Sequence, residues 1–139
     1  MTTSVAPNFG GGFDDELGLT YLDATPDGAR AQLTINEKLL QPHGIVHGGV
    51  YCSIVESVAS VSAGMWLESK GLGRNVVGVN NNTDFLRAIK AGAVTAVSTP
   101  IHRGRRQQIW LIEITDTNGK MVARGQVRLQ NLPADAPDA

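Results

Sequence analysis

One acid stands alone in an apolar stretch: Glu56, within Val50-Tyr51-Cys52-Ser53-Ile54-Val55-Glu56-Ser57-Val58-Ala59-Ser60-Val61. A carboxylate there is expected to be largely removed from water. That is costly unless it is paired, hydrogen-bonded or shifted in pKa. Its use is therefore catalysis or a structural pair. Just upstream lie Gln41 and His47-Gly48-Gly49. An N–H at the start of a helix, with the helix dipole behind it, can stabilise negative charge developing on a carbonyl oxygen. Gly48 offers that N–H with no side chain to block the approach. Glu56 can then serve as base or nucleophile. Ser60 follows Glu56 by four positions on the same helix face, where its hydroxyl can meet the carboxylate or a water.

Glu56 comes nine positions after His47, about 13–14 Å along a helix. One copy of the chain cannot bring both ends to a single carbonyl. Two antiparallel helices at a dimer axis can, with Glu56 of one copy facing Gly48 of the other.

The elements that must hold these residues are readable. Residues 17–24 and 29–35 alternate as strands and flank the turn signal Pro26-Asp27-Gly28, so a hairpin is expected. A Gly- and Pro-containing loop leads to a helix from about His47 to about Lys70, stopped at Gly71-Leu72-Gly73. Strands follow over 76–86, irregular at Asn80-Asn81-Asn82, then over 94–102, 107–115 and 121–131, the last two joined by Asp116-Thr117-Asn118-Gly119. The helix is apolar on more than one face. A curved antiparallel sheet must wrap it, or a second subunit must cover what remains. The fold class is α+β, with a flexible arm at 1–15, one domain at 16–132 and a disordered tail at 133–139.

Bulk properties limit the alternatives. A length of 139 residues suits one domain, and oligomerisation would help a core of that size. A net charge of −1 argues against nucleic acid and anionic membranes as partners. A single cysteine excludes an internal disulfide framework and, with three histidines, suits no structural zinc site. No apolar run is expected to reach the roughly 20 residues of a membrane span. Cytoplasm is the expected compartment.

Gln41-Pro42-x-Gly44-x-x-His47-Gly48-Gly49, followed by Glu56-Ser57-x-Ala59-Ser60, resembles the hotdog-fold acyl-CoA thioesterases. The nearest branch holds the phenylacetate-pathway and Arthrobacter-type 4-hydroxybenzoyl-CoA thioesterases. The resemblance implies a long central helix wrapped by a curved antiparallel sheet, assembled as a homodimer or homotetramer. It implies an acyl-CoA substrate, with CoA as part of that substrate and no further cofactor or metal. Glu56 would attack the thioester or activate water, and Gly48 would polarise the carbonyl across the dimer interface. His47 and Gln41 would position the reacting groups, and Ser60 matches a hydroxyl position. Arg103, Arg105 and Arg106 are expected to meet the CoA phosphates, and Asn81 to line the acyl pocket or brace the loop. Each residue has a plainer alternative: a structural acid at Glu56, a helix-start bond at His47, a loop brace at Gln41, a packing hydroxyl at Ser60 and a solvated turn at the arginines. An acyl-carrier-protein thioesterase and a non-hydrolytic acyl-thioester binder are the competing functions. A dehydratase of this fold is disfavoured by the helical position of Glu56.

Overall fold

The computed structural model describes residues 11–134. The arm before residue 11 and the tail after residue 134 lie outside the described residues. Helix α1 (Gly12–Leu17) is followed by β1 (Thr20–Thr25), β2 (Gly28–Thr34), a 3₁₀ turn (Glu37–Leu39), helix α2 (Gly48–Ser69), β3 (Val76–Phe85), β4 (Ala93–Arg103), β5 (Gln107–Thr115) and β6 (Met121–Asn131). The six strands form one sheet in the order β1-β2-β4-β5-β6-β3. Every pairing is antiparallel. Helix α2 packs against all six strands, which is the hotdog arrangement expected from the sequence.

The apolar pattern explains the wrapping. From α2, Ile54, Val55, Val58, Ala59, Ala63 and Leu67 are almost fully buried. Along β5, burial alternates residue by residue, so Gln108, Trp110, Ile112 and Ile114 all face the helix. By length and composition α2 could span a bilayer, contrary to the sequence expectation. More than half of its apolar window is buried inside the protein, as befits the core helix of a wrapped sheet.

One local feature differs from the sequence reading, and one expected turn gains a physical basis. The end of the N-terminal arm is helical at Gly12–Leu17, capped by Gly18 in the left-handed region. Ser57 Oγ donates to Asp14 Oδ1 at 2.6 Å, which fastens α1 to α2. The β5–β6 turn is built on Asp116, whose Oδ1 accepts from Asn118 N at 2.9 Å and Lys120 N at 3.0 Å.

The backbone bond from Lys120, then that from Asn118 and the charges of Arg87 and Lys120, hold the Asp116 carboxyl below its ordinary range. Its unfolded value is about 3.9, so its stabilising contribution is complete above that and fades as pH falls through the lower folded value. Asp116→Asn should remove this acid-side dependence. Comparing unfolding curves of the two proteins from neutral to acid pH checks it: parallel curves would rule the effect out.

Candidate active site

The loop ahead of α2 is pinned before the helix begins. Gln41 N donates to Ile45 O at 2.8 Å, Val46 N to Ile89 O at 3.0 Å and His47 N to Leu39 O at 2.9 Å. His47 is the N-cap, with extended backbone at φ −64° and ψ 133°. Its Nδ1 accepts from Gly49 N at 2.8 Å. An Nδ1 that accepts leaves the ring proton on Nε2, so His47 offers an N–H donor outward from an exposed ring. The helix-start alternative therefore describes one edge of the ring, and the other edge is available for chemistry.

Gly48 N belongs to the first turn, where backbone N–H groups have no intrahelical acceptor. A side chain at this position would also meet a neighbouring ring. A Cβ at residue 48 would come within 2.6 Å of Phe85 Cε2 and 2.7 Å of Phe85 Cζ. Phe85 is 55% exposed, and its ring centroid lies 6.2 Å from that of Tyr51. A cavity of about 350 Å³ is lined by Gly48, Tyr51 and Phe85 together with Gln41, Leu86 and Arg87. The Gln41 carboxamide oxygen accepts from His43 N, so this side chain braces its own loop while facing the cavity.

Glu56 is half-buried rather than largely removed from water. The sheet receives it at two places that the sequence did not reveal. Gly78 lies directly beneath the carboxylate, where a Cβ would collide with Glu56 Oε2. Asn81 Nδ2 donates to Glu56 Oε1 at 3.2 Å and to Cys52 O at 3.0 Å. Thr83 Oγ1 in turn donates to Asn81 Oδ1 at 2.7 Å, fixing which end of the amide faces the acid. Asn81 thus holds the acid in place, a different task from the acyl-pocket or loop-bracing one expected. A register shift between Gly78 and Asn80 sets this geometry. A glycine beside a polar run in a strand was the available signal for a close approach. Ser60 is half-buried one turn further along the helix from Glu56.

The arginines divide. Arg103 Nη1 donates to Pro26 O at 2.9 Å and to Asp27 Oδ1 at 2.8 Å, and its guanidinium sits 6.0 Å from the Trp110 ring centroid. It ties β4 to the β1–β2 turn, which competes with the phosphate contact expected of it. Arg105 and Arg106 are exposed and line a cavity with Leu67, Gly71 and Leu72, at the opposite end of α2 from Gly48. Arg87 is the cation on the Gly48 cavity wall, with Asp116 Oδ2 3.9 Å from its Nε.

Residues 43–123, more than half of the chain, match the profile of the thioesterase superfamily. The chain belongs to the thioesterase superfamily. Thioester hydrolysis is accordingly its class of chemistry. An esterase-named protein of Mycobacterium tuberculosis is 62% identical over 122 residues, covering 88% of this chain and 87% of its own length. Its solved structure superposes with a TM-score of 0.85 at 60% identity, covering 89% of this chain and 98% of that one. The 1,4-dihydroxy-2-naphthoyl-CoA hydrolase of Listeria monocytogenes is 34% identical over 111 residues, covering 80% of this chain and 88% of its own. A thioesterase structure from Haemophilus influenzae superposes with a TM-score of 0.81 at 30% identity, over 88% of this chain and 84% of that one. The hotdog fold of these relatives is the long helix wrapped by an antiparallel sheet seen in this chain.

Proposed function

We propose that this protein is an acyl-CoA thioesterase whose sites are each completed by two copies of the chain. The carrying observation is the separation of Glu56 from Gly48. Eight positions on one unbroken helix place them about 12 Å apart along its axis, too far to serve one carbonyl. Each residue is nevertheless prepared in its own place, Glu56 over Gly78 and Asn81, and Gly48 at an open helix start. The outer edge of β3 supports the pairing. β3 ends the sheet, runs for ten residues and carries the exposed Val79 and Phe85. A strand edge of that length is a template for a second copy.

In this reading the Gly48 N–H of one copy polarises the thioester carbonyl. Glu56 of the other attacks the carbonyl carbon or takes a proton from the attacking water. The thiolate of CoA leaves and is protonated; where Glu56 itself has attacked, water then cleaves the acyl anhydride and frees the carboxylate, so both routes give the free acid and CoA. His47 Nε2–H and the Gln41 amide orient the reacting groups, with Ser60 on the acid's face. Arg87 is better placed than Arg103 to meet the phosphates, because it lies on the wall of the Gly48 cavity. The hydrolase named for a naphthoyl-CoA substrate and the Tyr51–Phe85 pair both favour an aromatic acyl group.

Complementation tests the shared site. Glu56→Gln and Gly48→Ala chains, each expected to keep about 1% of wild-type kcat or less, are co-expressed and assayed for CoA release. A mixed dimer keeps one site with both native residues. A random mixture should therefore recover about a quarter of wild-type activity. Mixed dimers that form but stay as inactive as the parents would sink the two-copy site.

A further inference from the structure

We propose that Tyr51 is a specificity-determining residue whose hydroxyl donates to an oxygen carried by the acyl group. The inference rests on the thioesterase reading above. Tyr51 is 3% exposed, and its hydroxyl has no hydrogen-bond partner among the described residues. A buried hydroxyl without a partner costs free energy that a phenylalanine of the same shape would not. The two buried serine hydroxyls are handled differently: Ser62 Oγ and Ser98 Oγ lie 2.6 Å apart, and Ser62 Oγ also donates to Val58 O. Burial raises the Tyr51 pKa, so the group is a neutral phenol and a hydrogen-bond donor at ordinary pH.

Tyr51 lines the same cavity as Gly48 and follows it by one helical turn, so the two share a side of α2. A thioester whose carbonyl rests on the Gly48 N–H has two arms. The carrier arm must run out to solvent. The acyl arm can turn inward past the exposed Phe85 ring, which packs directly on Tyr51 and must swing aside before the covered hydroxyl is reached. An aromatic acyl group suits the two ring faces, and an oxygen on that ring would supply the acceptor that the Tyr51 hydroxyl lacks. A site built to bond a substrate oxygen rejects the analogue without it more strongly than an apolar pocket can.

The test compares wild type with Tyr51→Phe on benzoyl-CoA and its three monohydroxy derivatives. The expected result is a loss of about tenfold or more in kcat/KM on at least one hydroxylated substrate. On benzoyl-CoA the change should stay within about twofold. The thermal midpoint of Tyr51→Phe should equal or exceed that of wild type, which a purely structural hydroxyl would not allow. An equal change on all four substrates, or no change on any, would overturn the proposal. So would a wild type that cleaves aliphatic acyl-CoA alone. A wild type inactive on every CoA thioester would instead remove the thioesterase reading itself, and this inference with it.

Discussion

Glu56→Gln is expected to lower kcat for thioester cleavage by about 10²–10⁴-fold, the range that a positioned base contributes. The substitution is nearly isosteric. Its amide oxygen can still accept from Asn81 Nδ2, and Gly78 still leaves room beneath it. Fold, assembly and KM should therefore hold while turnover disappears. The measurement is CoA release under saturating substrate, with circular dichroism and native mass run alongside. A variant with near-wild-type kcat would strip Glu56 of its role. A variant that lost helix content would show that the acid's main work is packing against β3.

Gly48→Ala is expected to cost about 10²-fold in kcat, the scale associated with misplacing reacting groups by about an ångström. The N–H survives the substitution, so the loss must come through space. The new methyl would lie within 2.6 Å of Phe85 Cε2, and the ring or the helix start must move. Adding Phe85→Leu to Gly48→Ala separates the causes. If the ring collision dominates, the double variant regains much of the lost kcat, a coupling that a double-mutant cycle measures directly. If the methyl obstructs the carbonyl itself, the double variant stays inactive. Wild-type turnover in Gly48→Ala alone would exclude both.

Some of this was legible from the chain and some was not, for physical reasons. Strands β5 and β6 fall where alternation put them, because both bury one face against α2 and leave the other toward solvent. Helix α2 ends close to its expected bounds, since the His47 cap and Gly71 are local signals. Helix α1 carried no such signal, being six residues in a glycine-rich opening. The task of Asn81 was hidden by the irregularity at Gly78 and Asn80, where a register shift reassigns which residues face the helix. The bond of Arg103 to Asp27 depends on β4 lying beside β2, and no local pattern encodes that adjacency. The same holds for the Gly48 cavity, whose walls come from the helix start and the end of β3.

The strand order has a kinetic consequence. β4, β5 and β6 are neighbours in both sequence and space, joined by short turns. β2 must instead find β4 with residues 35–92 between them, a segment that contains all of α2 and β3. Closing so long a loop is entropically slow, whereas the three-strand meander can form early. Collapse should therefore begin in the C-terminal half and finish when the N-terminal hairpin docks on β4. Until then, one flank of α2 lacks its cover, and the segment bearing Gly48, Glu56 and Asn81 is the stretch of chain still waiting to be enclosed.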